Sequence, residues 1–282
     1  MSAHELIFGS PFQITTGRAT FGILYPVEKP SGPPVAFLNI AHRGASALAP
    51  ENTVAAFEAA IIGEATAIEM DLRVTSDGQI VVMHDSTVDR TSNGKGHVSG
   101  MTLEQIRSLD AGTWFGGQFA GEIVPTLEEV FEQIVPRIQV VLDCKQRNVG
   151  IEHRIVELAR AHKVVDKTMV SSRIGPILKG IKSREPSMQT GFVAWFMDWG
   201  WWKRHIGRRL EALGATTVSP KASTITPRMI RFFHDRGFIV RAWGVGSDEK
   251  LAARLIRMGV DGMTFNAPEV LWRSQRRAGN ER

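Results

Sequence analysis

From residue 35 onward, short apolar runs alternate with helix-patterned stretches, and that alternation restricts the chain to a parallel α/β architecture. Strand candidates fall at 35–41, 67–74, 80–84, 138–143, 168–171, 188–193, 216–219, 238–243 and 261–264. Helical patterns fit between most of them, at 53–63, 126–135, 150–163, 173–183, 203–213, 226–236 and 248–258. Start signals support several: Thr126 ahead of Leu127-Glu128-Glu129, and Ser247 ahead of Asp248-Glu249. The candidates exceed the eight strands of a closed barrel by one. Between 67–74 and 80–84 there is no room for a crossover helix, and Ser76-Asp77-Gly78 is a hairpin turn signal. The expected fold is therefore an α/β (β/α)8 TIM barrel whose second strand runs on into a β-hairpin.

A chain of 282 residues with 43% hydrophobic content suits one such domain. The expected division is an N-terminal extension over 1–35, a barrel over 36–272 and a basic tail over 273–282. Residues 86–125, rich in glycine, are too irregular for a barrel repeat and read as a lid-like insertion on the catalytic face. Cys144 is the lone cysteine, which excludes a disulfide framework and thiol-rich metal sites. The net charge of +5 admits nucleic acid, anionic lipid or an anionic small substrate. Neither zinc-finger spacing nor an RNA-recognition signature is present, so no nucleic-acid partner is expected. With no basic-then-apolar leader and no run of 18 apolar residues, the expectation is a cytoplasmic protein, at most peripheral to a membrane.

His42 closes the first strand, where a barrel places its active site. Alone it would read as a core histidine. His84, at another strand end, supplies a partner, and two imidazoles can act as base and acid on either side of a phosphorus. A symmetric turn centred on Asp77-Gly78 sets Asp71 directly across from His84, and Glu69 shares the face of Asp71. Ile68, Met70 and Leu72 alternate with these acids. The pair is either a solvated edge or an acidic barrel mouth that a cation must neutralise. Asp143, at the end of the next barrel strand, adds a third carboxylate, and the set suits one Mg²⁺ or Ca²⁺. Lys145 shares the face of Asp143 and, with Arg43, is a candidate phosphate clamp; a structural Lys145–Asp143 pair is the plainer reading. Asn52 or Thr53 could cap the helix that follows. Trp243 ends a strand and either packs locally or reaches the catalytic face, where an indole can stack on an alcohol head group or hold a choline cation.

The series Ala41-His42-Arg43-Gly44, Pro50-Glu51-Asn52-Thr53, Glu69-Met70-Asp71 and His84-Asp85 closely resembles the glycerophosphodiester phosphodiesterase family. The resemblance covers about residues 36–268, and Asp89-Arg90-Thr91-Ser92-Asn93-Gly94 and Leu109-Asp110-Ala111-Gly112 match the wording of the insertion that the family carries here. It implies metal-dependent hydrolysis of a small glycerophosphodiester to glycerol 3-phosphate and an alcohol. It implies His42 and His84 as the acid–base pair, and Glu51 and Asn52 bordering the site. It also implies that the glycerol 2-hydroxyl attacks first, giving a cyclic phosphate that water opens.

Three departures stand out. The family's strand-end glutamate is Asp143 here, its Thr-x-Asn after the tryptophan is Gly244-Val245-Gly246, and its closing Thr-Asp-x-Pro is Thr264-Phe265-Asn266-Ala267-Pro268. A segment of this chain's own, Phe192 to Arg204, holds four of the seven tryptophans. Its loop 195–204 is a candidate peripheral membrane contact and points to a rival activity, a lysophospholipase D-like reaction at lipid surfaces. A catalytically silent phosphate- or lipid-binding protein is the rival from another class.

Overall fold

The computed structural model describes residues 37–145, 150–195 and 199–271, of which 199–204 by backbone alone. The expected extension 1–35, the tail 273–282 and residues 196–198 of the tryptophan-rich loop lie outside the described residues, and 199–204 of that loop form the start of a helix. Eight parallel strands close on themselves: β1 (Leu38–His42), β2 (Ala67–Val74), β4 (Gln139–Cys144), β5 (Thr168–Ser172), β6 (Gln189–Ala194), β7 (Thr217–Pro220), β8 (Ile239–Ala242) and β9 (Gly262–Phe265). β1 pairs with both β2 and β9, which completes the barrel. β3 (Ile80–Val82) lies antiparallel against the far end of β2. The helices α1 (Val54–Ile62), α3 (Leu127–Gln133), α4 (Ile151–Ala161), α5 (Gly175–Arg184), α6 (Trp199–Ala212), α7 (Pro227–His234) and α8 (Glu249–Met258) follow the strands. The short α2 (Leu103–Arg107) sits in the insertion.

Local chemistry sets these boundaries. Thr126 and Glu129 form a reciprocal capping box that starts α3. Asp248, one residue beyond the expected Ser247, caps α8, and Gly259 ends it at φ 88°. Alternation then divides each strand between two cores. Ile68, Met70 and Leu72 of β2 face outward into the large helix–sheet core, whereas a small plug of Leu38, Ile40, Ala67, Val141 and Met169, with Ile239 against it, fills the barrel floor. Above that plug the inward positions of β2 and β4 are acidic. Among the described residues no helix is long and apolar enough to cross a membrane.

The insertion is a packed annex. Val81, Met83, Val88, Val98, Ile106, Ala111 and Val124 form a separate apolar cluster beneath it. The Asp110 carboxylate accepts from the backbone N–H groups of Gly112, Thr113 and Gly121, which pins the glycine-rich turns.

The β2–β3 register differs from expectation. The pairs are Leu72–Val82, Arg73–Val81 and Val74–Ile80, so Asp71 comes opposite Met83, whose N–H donates to the Asp71 carbonyl at 2.9 Å. A two-residue turn at Asp77-Gly78 would have paired Asp71 with His84. The actual loop has three residues, closed by Thr75 N–H on the Gln79 carbonyl at 3.0 Å, with Gly78 at φ 82°. The slip would turn His84 away if the ladder continued. It does not continue: strand geometry stops at Val82, and the Arg73 guanidinium holds the His84 carbonyl, Nη2 to O at 2.5 Å.

Candidate active site

β1, β2 and β4 deliver the acidic cluster in register. His42 aligns with Glu69, and Asp71 with Asp143. One carboxylate oxygen from each of Glu69, Asp71 and Asp143 lies within 4.8 Å of the others. Three anions this close repel unless neutralised, and their proton affinities record the conflict. Burial, and then the neighbouring Asp71, pushes the Glu69 carboxyl well above the usual range. Burial raises Asp143 as well. For Asp71 burial acts in the same direction, but Lys145 and Arg43 outweigh it and hold the group well below the ordinary carboxylate value. Lys145 Nζ lies 2.5 Å from Asp143 Oδ2 and 2.9 Å from Asp71 Oδ1.

A divalent cation fits this set. The donors are hard oxygens, two of the three carboxyls are held in a state that favours protonation, and the buried Asp71 Oδ1 meets Lys145 without hydrogen-bond alignment. Removing one charge from such a buried network costs about 3–5 kcal/mol of stability. Substitutions at Asp71 therefore confound folding with function, and the histidines make cleaner probes.

Arg43 takes a left-handed conformation, φ 57°, next to Gly44 at φ 80°. A Cβ on Gly44 would lie 2.6 Å from the Ala56 backbone, so only glycine lets the chain turn over α1 there. The turn aims Arg43 N–H at Glu69 Oε2 (3.1 Å), Nη1 at Glu51 Oε1 (2.7 Å) and Nε to within 3.2 Å of Asp71 Oδ2. Asn52 is left-handed too, at φ 60°, and donates its backbone N–H to the Arg43 carbonyl. Its side-chain amide brackets Asp71, donating Nδ2 to Oδ2 at 3.0 Å and accepting from the Asp71 N–H. Asn52 is therefore a carboxylate holder, and Thr53 is the α1 cap.

The two imidazoles are anchored through Nδ1. His42 Nδ1 meets Asn266 Oδ1 at 2.8 Å, and its Nε2 faces Glu69 at 4.0 Å. Burial, and then Arg43, lowers the His42 pKa to about 4, so the ring is neutral at pH 7. His84 Nδ1 meets Asp85 Oδ1 at 2.6 Å, and His84 lies within electrostatic reach of Asp71. Arg90, from the insertion, donates Nε to Asp85 and both terminal nitrogens to Glu51. That hydrogen bond brings the Asp85 pKa down to about 2.

The predicted residues His42, Arg43, Glu51, Asn52, Glu69, Asp71, Asp143 and Lys145 thus share one connected network, with His84 joined to it through Asp85 and Arg90. Trp243 stands apart from it, at the end of β8. It donates Nε1 to the Ala194 carbonyl at 3.1 Å and stacks on Trp195 with centroids 5.0 Å apart. Sequence reasoning assigned no part to Arg90, Asp85 or Asn266. Asn266 occupies the closing motif where the wording departs, which was its one signal.

The profile of the Glycerophosphoryl diester phosphodiesterase family matches residues 42–270. A glycerophosphodiester phosphodiesterase of Caldanaerobacter subterraneus subsp. tengcongensis is 37% identical over 249 residues, covering 86% of this chain and 99% of that one. The crystal structure of a glycerophosphodiester phosphodiesterase from Agrobacterium tumefaciens superposes with a TM-score of 0.72 at 28% identity, over 82% of this chain and 97% of that chain. An Oleispira antarctica phosphodiesterase, solved in complex with the product sn-glycerol-3-phosphate, gives a TM-score of 0.77 at 28% identity, over 84% and 96% of the two chains. With its barrel, its in-register acids and a match spanning most of its length, this chain belongs to the glycerophosphoryl diester phosphodiesterase family.

Proposed function

We propose that the protein hydrolyses glycerophosphodiesters to glycerol 3-phosphate and an alcohol, in a reaction that depends on a divalent cation. The observation that carries this reading is the juxtaposition of three carboxylates, two Nδ1-anchored histidines and two cations at one barrel mouth. Glu69, Asp71 and Asp143 would hold the cation. When bound it would polarise a phosphoryl oxygen and help ionise the attacking hydroxyl. Arg43 and Lys145 bind the phosphoryl oxygens and offset charge that builds in the transition state. Each histidine has Nδ1 engaged, so Nε2 is the atom that exchanges a proton. One imidazole takes the proton of the attacking glycerol 2-hydroxyl while the other protonates the departing alcohol oxygen, and water then opens the resulting cyclic phosphate to glycerol 3-phosphate with the two proton transfers reversed. Asn266 and Asp85 fix the ring orientations, and Arg90 fixes Asp85. Glu51 and Asn52 position Arg43 and Asp71.

The test is release of glycerol 3-phosphate from glycerophosphodiesters after chelation, and again with Mg²⁺ or Ca²⁺ restored. Cation-restored turnover is the expected result. Turnover unaffected by chelation would overturn the metal dependence, and failure on every glycerophosphodiester would overturn the activity.

A further inference from the structure

Four consecutive strands, β5 to β8, end in residues that touch one another. Arg173 follows β5, Trp195 follows β6, Lys221 follows β7 and Trp243 follows β8. The Arg173 guanidinium carbon lies 5.0 Å from the Trp195 ring centroid. Trp195 and Trp243 are stacked with 29° between their planes. Lys221 Nζ lies 6.0 Å from the Trp243 centroid. The Trp243 indole N–H is committed to Ala194, which fixes the ring. Arg173 and Lys221 are solvent-exposed, and among the described residues neither has a carboxylate within ion-pair distance. Arg173 also lies within electrostatic reach of Asp143, so this shelf borders the acidic cluster.

The order cation, indole, indole, cation decides what can dock. A bare indole attracts a quaternary ammonium through its π face. Here two cations already use that attraction, and a third positive charge would meet both of them. The same groups favour a polyol, whose hydroxyls or anionic substituent meet the guanidinium and ammonium while its C–H groups rest against the indole edges left outside the stack.

Resting on the phosphodiesterase reading, we infer that the Arg173–Trp195–Trp243–Lys221 shelf is the leaving-alcohol subsite, and that it selects polyol alcohols bearing negative charge over choline or ethanolamine. The choline-binding role open to Trp243 in the sequence is thereby replaced by discrimination against choline.

The experiment compares kcat/KM, with divalent cation present, for diesters of glycerol 3-phosphate whose alcohols are inositol 4-phosphate, inositol, glycerol and choline. The expected order is anionic polyol, then neutral polyols, then choline, with about tenfold or more between the extremes, the scale of one charge or cation–π contact. The variant carrying Arg173→Gln and Lys221→Gln is expected to bring that ratio close to one, lowering the anionic substrate and raising choline. Removing the same charge from exposed helix positions, Lys179→Gln with Arg257→Gln, is expected to leave the ratio unchanged, which separates the shelf from the overall charge of +5. A merely structural role would lower all four substrates alike. Choline as the best substrate, or a ratio indifferent to the shelf variant, overturns the inference. If no diester turns over, the phosphodiesterase reading fails, and calorimetric binding of the same four compounds judges the shelf. Anion-preferring binding that the shelf variant abolishes supports it, and equal or choline-preferring binding overturns it.

Discussion

The mouth of the barrel has two unlike halves. Over β1, β2 and β4 every functional group is held by at least one other: Arg43 by Glu51, Asp71 by Asn52, His42 by Asn266 and His84 by Asp85. Over β5 to β8 the groups are aromatic and cationic, in contact face to face, with the two cations exposed. The first half has the rigidity that charge stabilisation and proton transfer need, since a preorganised dipole does not reorient during the reaction. The second can adapt to a varied group, because stacking tolerates displacement better than a bidentate hydrogen bond does. On the proposed reading, chemistry and selectivity occupy separate arcs of one rim.

The strongest challenge to that division is His42→Ala. It is expected to lower kcat by about 10²- to 10⁴-fold for every diester alike, with the thermal midpoint unchanged, as read by steady-state assay and circular dichroism. A loss confined to one alcohol would move His42 into the selective half. Next comes the cation. Asp143→Asn is expected to cost about 10²-fold at fixed Mg²⁺, the equivalent of a few kcal/mol of charge stabilisation, whereas Asp143→Glu keeps most activity because the longer acid retains the donor oxygen. Metal titration of both variants checks this. Arg90→Ala tests whether the insertion serves the rigid half: about a tenfold loss in kcat/KM is expected, equal for anionic and cationic alcohols.

The smallest effect belongs to the opposite end of the barrel. The hydrogen bond to Asp261 raises the His234 pKa above 6.5. A group raised on folding stabilises fully below its unfolded value, and the contribution is lost as pH rises through the folded value. His234→Gln is therefore expected to lower stability by under about 1 kcal/mol at pH 5.5, since the pair is partly exposed, and to do nothing at pH 9. Denaturant melts at both pH values check it, and turnover by either half of the rim is expected to be indifferent.

Much of the rigid half was legible because barrel strands alternate. Glu69 and Asp71 stand out when Ile68, Met70 and Leu72 intervene, and the strand ends at His42 and Asp143 fall at the face where loops converge. The hairpin register was not legible. Ser76-Asp77-Gly78 permits a two- or a three-residue loop, and only the left-handed Gly78 with the Thr75–Gln79 closure decides between them. Asn52 looked like a helix cap because caps and left-handed turns favour the same residue type. Arg90 and Asn266 reach the site across 39 and 224 positions, through loops that carry no periodicity. The shelf is divided among four strand ends, so its cations are separated in sequence from the indoles they touch.

Inside the barrel, Arg241 is 3% exposed, and its guanidinium reaches only Met169 Sδ and the hydroxyls of Ser171 and Ser219 as hydrogen-bond partners among the described residues, while Nε has none. Burying a cation without a carboxylate partner works against folding. Ser171 stands in register with Asp143, so that cation lies one strand beyond the acidic cluster. The barrel gives up some stability to hold it. Selection for thermal tolerance alone would favour an apolar residue here.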